Sequence, residues 1–156
     1  MVGYIVRRGH VPLGYWNDPE KTAKTFPVVD GQRVAVLGDM GQIREDGSLV
    51  FLGRGSGCIN TGGEKVFPEE VEQALKAHPA VHDALVAGAP DERFGEKVAA
   101  VVSFRSGMSA EPEELSEFLR ESLANYKVPK VIVDVPEIRR SPAGKADYKW
   151  AKAQVS

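Results

Sequence analysis

The C-terminal part of this sequence predicts an α+β fold, because strand-like and helix-like segments alternate along it. Two nearly continuous apolar runs, residues 84–87 and 98–104, have the length and composition of strands buried on at least one face. The helix-like segments are apolar on one side only. The clearest is residues 112–123, with Leu115, Phe118, Leu119 and Leu123 inward, and residues 131–135 and 147–154 predict a further strand and a terminal helix. Such elements pack into a small layered domain.

The first 53 residues predict a loop-rich segment with short strands. Pro19 is expected to begin a short helix that ends near residue 26, because Asp18 can cap it. Strands are expected at residues 33–37, 41–44 and 48–52, the first two separated by Gly38 and Asp39. Since few apolar residues remain for a core, this segment reads as the end of a larger β-rich domain.

A glycine-rich stretch, GRGSGCINTGGEKVFPEEVE at residues 53–72, lies between these two parts. Its glycines permit positive φ angles and the close approach of another backbone or a ligand. Gly62 and Gly63 predict a hairpin, and Pro68 predicts the start of a helix that ends at His78. The glycine spacing fits neither the P-loop nor the dinucleotide fingerprint, so a flexible turn at a domain boundary is the alternative to a ligand-facing loop.

Composition and charge argue against several kinds of protein. Hydrophobic residues make up 42% and charged residues 27% of the chain, and the net charge of -2 gives no electrostatic reason to expect nucleic acid. Cys58 is the single cysteine and forms no internal disulfide, and neither a leader peptide nor a membrane-spanning apolar run is evident, so we expect a cytoplasmic protein. His10, His78 and His82 lack the spacing of metal ligands, so no metal site is expected.

Three motifs occur in an order that resembles one known family. The first is Gly38 with Asp39, the second is Arg54 followed by Ile59, Gly62, Gly63, Glu64, Val66, Pro68, Glu70, Val71 and Glu72, and the third is Ser141, Pro142, Ala143, Gly144 and Lys145. Together they resemble the adenylate-forming acyl-CoA synthetases, most closely the bacterial fatty-acid or steroid-side-chain type. The resemblance covers essentially the whole chain, from residue 14 to the terminal helix.

The resemblance implies a division of the chain into three parts. Residues 1–53 would be the β-rich end of a large N-terminal adenylation domain that is missing here, and residues 58–156 would be a small C-terminal lid domain, a mixed sheet packed by helices. Residues 54–57 would be the hinge about which the lid turns. The hinge residues after the arginine are Gly55, Ser56 and Gly57. The family has Asp or Lys in place of Ser56, so here the flanking glycines alone would supply the torsional freedom.

The resemblance also implies roles for three polar residues. Lys145 would be catalytic, entering the active site when a carboxylate attacks the α-phosphate of ATP, because a positive charge offsets the repulsion between these two anions. Asp39 would bind the ribose diol, and Arg54 would hold the ribose or a phosphate edge. Without the resemblance, Lys145 reads as an exposed turn lysine, Asp39 as a hairpin acid and Arg54 as part of a surface ion pair.

CoA would be bound by the glycine loop and a lysine. In the family, the loop matched by Gly62 and Gly63 flanks the pantetheine after the lid has turned, and Lys127 or Lys130 would touch CoA phosphates. The alternative for the lysines is a solvated pair. The substrates would be ATP, CoA and a small-molecule acyl compound, and AMP would be released. Mg²⁺ is expected in the full-length enzyme, at a site outside this chain. Residues 91–96 read as a turn rather than as a catalytic carboxylate pair.

The function implied is that of the C-terminal part of an ATP-dependent acyl-CoA synthetase, which converts a carboxylic acid and CoA to acyl-CoA with release of AMP and pyrophosphate. The phosphate loop and the acyl pocket of that family are not in this sequence, so we expect no independent catalysis. Two alternatives stay open, a non-catalytic lid-like binding module and the lid of a carrier-protein-loading adenylation enzyme. An upstream reading frame that encodes the phosphate loop would favour the enzyme.

Overall fold

The structure, a computed structural model, describes residues 2–156 and divides into two compact units, Met1–Ser56 and Gly57–Ser156. Strands and helices occur in both units, and the predicted α+β class is confirmed. Within the described residues, no helix combines the length and the apolar character needed to cross a membrane.

The first unit contains short strands and one helix. Its elements are β1 (Val2–Arg7), α1 (Pro19–Thr25), β2 (Val28–Val29), β3 (Gln32–Arg33), β4 (Ala35–Ile43) and β5 (Leu49–Arg54). β1, β4 and β5 form an antiparallel sheet in that spatial order, and β2 and β3 form a small hairpin. Helix α1 begins as predicted, because Pro19 lies in its first turn and Asp18 Oδ1 accepts the Lys21 N–H at 2.9 Å.

Two expectations for the first unit are wrong. Gly38 and Asp39 do not separate two strands, because β4 runs through both of them. Gly38 adopts a φ of +92°, and β4 pairs with β1 on both sides of it, at Met40 and at Val36. Pairing with β5 ends at Asp39, after a register irregularity between Met40 and Gly41. Strand β1 lies in a segment expected to be loop, and it forms by pairing with β4, which is far along the chain.

The second unit contains the elements that the sequence predicted, with different limits. They are β6 (Ile59–Thr61), β7 (Glu64–Val66), α2 (Pro68–Lys76), β8 (Val81–Asp91), β9 (Gly95–Phe104), α3 (Pro112–Arg120), β10 (Val131–Asp134) and α4 (Tyr148–Val155). The hairpin at Gly62 and Gly63 and the turn between β8 and β9 are confirmed. β8 and β9 are longer than predicted, because pairing continues through their polar ends to Asp91 and Gly95. Helix α3 ends at Arg120, earlier than predicted.

Strand β9 is the centre of a mixed sheet in the second unit. It pairs antiparallel with β8, parallel with β10, and antiparallel with β6 through Gly95. Alternate side chains of β9 point to opposite faces, so that Val98 and Val102 join a core with α2 and α3, whereas Ala99 and Val101 join a core with α4. Both faces of the strand are therefore buried, and the sheet is the framework that carries the loops of this unit.

Candidate functional site

Asp39 and Arg54 are direct register partners on β4 and β5. Asp39 Oδ1 lies 3.5 Å from Arg54 Nε. The Asp39 side chain is 32% exposed and the Arg54 side chain 69% exposed. Exposed ion pairs contribute only about 0–1 kcal/mol to stability. If a polar ligand took the place of one partner, the fold would lose little.

The residues after Arg54 form one turn of 3-10 helix, Gly55–Gly57. The division between the two compact units falls within this turn, between Ser56 and Gly57. Rotation about Gly55, Ser56 and Gly57, and the domain limits drawn from it, stay predictions.

Gly62 and Gly63 form the two-residue turn between β6 and β7, with φ angles of +58° and +88°. Both angles are left-handed and typical of the tight hairpin turns that glycine adopts without strain. Phe94 packs against the turn at Gly62. The Gly62 N–H donates to Phe94 O at 3.4 Å, and a Cβ on Gly62 would lie 3.0 Å from the Phe94 ring. A Cβ on Gly63 would meet nothing within 4 Å. The backbone at Gly63 is therefore approachable by a narrow ligand.

Lys127 ends a second 3-10 turn, Asn125–Lys127, and takes part in an ion pair. Its Nζ lies 2.7 Å from both carboxylate oxygens of Glu70, in the first turn of α2. Only 20% of the Lys127 side chain and 28% of the Glu70 side chain are exposed. To contact a CoA phosphate directly, Lys127 would have to exchange this carboxylate for the phosphate. Binding of CoA by Lys127 stays a prediction, and the alternative, Lys130, is exposed.

Lys145 is exposed and lies at the end of a closed loop that follows β10. The Ser141 N–H donates to Lys145 O at 2.8 Å, and the Lys145 N–H donates to Ser141 Oγ at 3.1 Å. Gly144, at a φ of +75°, donates its N–H to Ser141 O at 2.8 Å. These bonds fix the main chain at Lys145 while its side chain remains in solvent.

One ion pair next to this loop was not singled out from the sequence. Arg140 Nε donates to Asp83 Oδ2 at 2.8 Å, and Arg140 Nη2 donates to Asp83 Oδ1 at 2.9 Å. Partial burial acts to raise the pKa of Asp83, but the hydrogen bonds from Arg140 and from the Ala84 N–H outweigh it, and the pKa is lowered. The two residues are 57 positions apart, so no local pattern signals their pairing.

A second unpredicted contact joins α4 to α2. Tyr148 Oη donates to Glu72 Oε2 at 3.4 Å, and Glu72 Oε1 accepts the Val86 N–H at 3.0 Å. Burial raises the pKa of the Glu72 carboxyl. Burial and the neighbouring Glu72 carboxylate also raise the pKa of the Tyr148 hydroxyl, so Tyr148 remains a donor at neutral pH.

The structure thus brings together one pair of the residues singled out from the sequence, Asp39 and Arg54. In the second unit the others lie on three separate segments: the Gly62 and Gly63 turn, the 3-10 turn of Lys127 and the loop of Lys145. Within residues 2–156, no three His, Cys, Asp or Glu side chains are grouped so as to hold a metal ion.

Comparison with known proteins finds that the chain is similar to CoA ligases and to an amide bond synthetase. Residues 70–145 match the family described as AMP-binding enzyme C-terminal domain. Over 155 residues the chain is 54% identical to a medium/long-chain-fatty-acid/3-oxocholest-4-en-26-oate CoA ligase of Mycobacterium tuberculosis, an alignment that covers 99% of this chain and 28% of the ligase.

Two solved structures resemble the chain over nearly its whole length. The amide bond synthetase McbA of Marinactinospora thermotolerans is 35% identical with a TM-score of 0.86, over 99% of this chain and 31% of that protein. The o-succinylbenzoate CoA synthetase of Bacillus subtilis, in complex with an acyl-adenylate intermediate, is 31% identical with a TM-score of 0.84, over 96% of this chain and 30% of that protein. The chain therefore spans less than a third of the length of each of these relatives.

Proposed function

This chain belongs to the adenylate-forming enzymes that carry the AMP-binding enzyme C-terminal domain, and we propose that it is the C-terminal part of an acyl-CoA ligase. The reaction is the joining of a carboxylic acid to CoA by way of an acyl-adenylate, with release of pyrophosphate and AMP. The observation that carries the proposal is the 54% identity to a CoA ligase over 99% of the chain. The acid is a fatty acid or a steroid with a carboxylated side chain, as in the name of that relative.

The substrates of the proposed ligase are ATP, CoA and the acid, with Mg²⁺ accompanying the phosphates of ATP. Asp39 accepts hydrogen bonds from the ribose diol, and Arg54 beside it donates to the ribose or a phosphate oxygen. Their positions as register partners support this role, because one carboxylate and one guanidinium lie side by side where β5 ends. A cytoplasmic location, expected from the sequence, stays a prediction.

The second unit supplies a different group to each half-reaction. In adenylate formation, the Lys145 ammonium lies between the attacking carboxylate and the α-phosphate, and it stabilises the negative charge that gathers there. In thioester formation, the lid has turned and the Gly62 and Gly63 backbone flanks the pantetheine of CoA. The exposed position of Lys145 and the open side of Gly63 support these roles.

The partner of this chain is the N-terminal adenylation domain, with the phosphate loop and the acyl pocket. Large apolar side chains exposed on the sheet of the first unit support a covering polypeptide. They include Tyr4 at 63%, Ile43 at 64%, Leu49 at 57% and Phe51 at 57% exposure. Exposed apolar groups at this density on one small sheet are typical of surfaces that another segment buries.

The similarity to an amide bond synthetase supports a second candidate. In that candidate the adenylate is formed in the same way, but the acyl group passes to an acceptor other than CoA, as in a carrier-protein-loading adenylation enzyme. The two candidates differ only in the second half-reaction, so the acceptor distinguishes them.

A chimera tests the proposal. The aligned C-terminal 28% of the M. tuberculosis ligase is replaced by this chain, and the chimera is supplied with ATP, Mg²⁺, CoA and a fatty acid or 3-oxocholest-4-en-26-oate. We expect CoA-dependent release of AMP and formation of the thioester. The control is the same ligase with its C-terminal part removed, which should form no thioester. A folded chimera that forms adenylate but transfers it only to another acceptor would favour the second candidate, and one that forms neither product would contradict both.

A further inference from the structure

The Lys145 loop is internally closed. An isolated bridge joins Arg140 to Ala146, and the hydrogen bonds between Ser141 and Lys145 lie inside it. Bonds of this kind fix the shape of the loop, but they do not fix its direction relative to the sheet. The direction depends on what attaches the two ends of the loop to the rest of the unit.

The distal end of the loop is attached by α4. Asp147 caps this helix, because its Oδ1 accepts the Trp150 N–H at 2.9 Å. Ala151 and Val155 of α4 are buried against Leu85 and Val101 on one face of the sheet. The chain after Lys145 therefore enters a helix whose place on the sheet is set by a buried apolar contact.

The proximal end is attached at two residues, because Ile138 is buried in the same apolar cluster as α4 and the side chain of Arg140 bonds the sheet. Two of its nitrogens donate to the Asp83 carboxylate, at 2.8 and 2.9 Å, and a third, Nη1, donates to Gly144 O at 3.3 Å. One planar guanidinium thus bonds a residue of β8 and the residue immediately before Lys145. Because the guanidinium is rigid, fixing one of its edges on Asp83 also fixes the edge that holds Gly144.

The Asp83 end of this contact is firmly placed. Asp83 lies in β8 and is the register partner of Ser103 in β9. Its Oδ1 also accepts the Ala84 N–H at 2.9 Å, which orients the carboxylate. The side chains of Asp83 and Arg140 are 20% and 33% exposed. A bidentate pair at this degree of burial has a more defined geometry than the exposed ion pairs elsewhere on the chain.

We propose that Arg140, held by Asp83, is a positioning residue for Lys145: it sets the direction in which the loop presents the lysine to the reacting carboxylate and α-phosphate. The inference rests on the proposed role of Lys145 in adenylate formation. Losing the contact leaves the loop closed and Ile138 buried, but it releases Gly144 from the guanidinium, so that the part of the loop next to Lys145 can shift relative to the sheet. Misplacement of a reacting group by about 1 Å can lower a rate by about 10²-fold. The thioester step, in which Lys145 takes no part, is not expected to change.

The test uses a complete acyl-CoA ligase that carries this chain as its C-terminal part. Arg140→Gln removes the bidentate contact, and Arg140→Lys keeps the charge but cannot bond Asp83 and Gly144 at once. Arg139→Gln is the matched control, because the neighbouring Arg139 pairs with Asp147 at 3.4 Å through a side chain that is 68% exposed. Pyrophosphate release, thioester formation from supplied acyl-adenylate, and the thermal midpoint are measured for each.

We expect Arg140→Gln to lower adenylate formation by about 10-fold to 10²-fold and Arg140→Lys to do so by a smaller factor, with thioester formation within about twofold of the parent in both. Arg139→Gln should leave both steps within about twofold. The proposal is overturned if Arg140→Gln and Arg140→Lys retain adenylate formation, or if they lose the two steps equally. A merely structural role of Arg140 would lower both steps, not adenylate formation alone.

Lys145→Ala is measured alongside these variants. If Lys145→Ala leaves adenylate formation intact, the proposed function itself fails. If Lys145→Ala lowers adenylate formation and Arg140→Gln does not, only this inference is refuted.

Discussion

Asp39 lies opposite Arg54 in the ladder of β4 and β5, with 3.5 Å between Oδ1 and Nε. The pair sets a carboxylate, which accepts two hydrogen bonds, beside a planar fork of donors. A ribose diol and a neighbouring phosphate oxygen present the complementary groups. The strand register places the two side chains next to each other on β4 and β5.

Replacing the carboxylate tests this assignment. In a complete ligase that carries this chain, Asp39→Ala removes the two acceptors, and hydrogen bonds to a charged group contribute about 1.5–3 kcal/mol each. We expect the KM for ATP to rise by at least about 10-fold, as measured by pyrophosphate release. Asp30→Ala is the control, since Asp30 is an acid of the same unit with an 85% exposed side chain. Equal KM values for the two variants would contradict the nucleotide role of Asp39.

The chain alone should bind ATP weakly. Of the proposed nucleotide site it holds only Asp39, Arg54 and Lys145, and in the proposal the phosphate loop lies in the N-terminal domain. We expect a dissociation constant of about 1 mM or weaker, which corresponds to about -4 kcal/mol. Titration calorimetry on the 156-residue chain measures it. A micromolar constant would show that the nucleotide site is assigned to the wrong residues.

Local signals predicted the helix starts and the tight turns. Pro19 after Asp18, and Pro68 before two glutamates, mark helix starts that the structure confirms, because capping and proline geometry act within one turn. Strand limits were less accurate. The sequence predicted a break at Gly38, but pairing of β4 with β1 extends the strand through this glycine. Such pairing depends on residues distant in sequence.

The same distinction applies to the candidate site. The Gly62 and Gly63 turn was predicted because its conformation depends on the two glycines themselves. The partners of Lys127 and Arg140 were not predicted, since Glu70 and Asp83 each lie 57 positions away in sequence. Folding of the sheet and helices decides which charges meet.

Limited proteolysis tests the domain limits. Both buried apolar clusters lie within Gly57–Ser156, whereas the first unit exposes many apolar side chains. We expect the first cuts before Gly57, in residues 6–18 above all, because backbone with few buried contacts opens more readily. Mass spectrometry of the early fragments locates the cuts. Early cleavage within β9 would contradict a compact second unit.

Glu72 predicts a pH dependence of stability. Its side chain is buried, with the residue 6% exposed, and burial raises its pKa in the folded state above the ordinary value of 4.5. The folded state therefore binds more protons than the unfolded state between these two pKa values, and stability falls as the pH rises through the folded pKa. The neighbouring charge of Glu69 also raises the pKa of Glu72, whereas that of Lys76 lowers it.

Glu72→Gln should remove that fall, because glutamine stays neutral and retains an oxygen to accept the Val86 N–H. Urea unfolding of the 156-residue chain between about pH 4 and about pH 8 measures the free energy of unfolding. We expect the advantage of the variant over the parent to grow with pH, while Glu121→Gln, at an exposed position, runs parallel to the parent. A constant difference between Glu72→Gln and the parent would be the contrary result.

The central claim is that two loops of the second unit serve different half-reactions. In this proposal, Lys145 supplies charge during adenylate formation, and CoA approaches the backbone at Gly63, where a Cβ would meet nothing within 4 Å, during thioester formation. Lys145→Ala removes the charge, whereas Gly63→Leu fills the space and strains a residue whose φ is +88°. The two substitutions should therefore impair different steps.

The decisive measurement compares these variants in a complete ligase that carries this chain, by pyrophosphate release and by thioester formation from supplied acyl-adenylate. We expect Lys145→Ala to lower adenylate formation by about 10²-fold or more with near-normal thioester formation, and Gly63→Leu to show the opposite pattern. Equal loss of both steps in both variants would contradict the assignment of Lys145 and Gly63 to separate half-reactions.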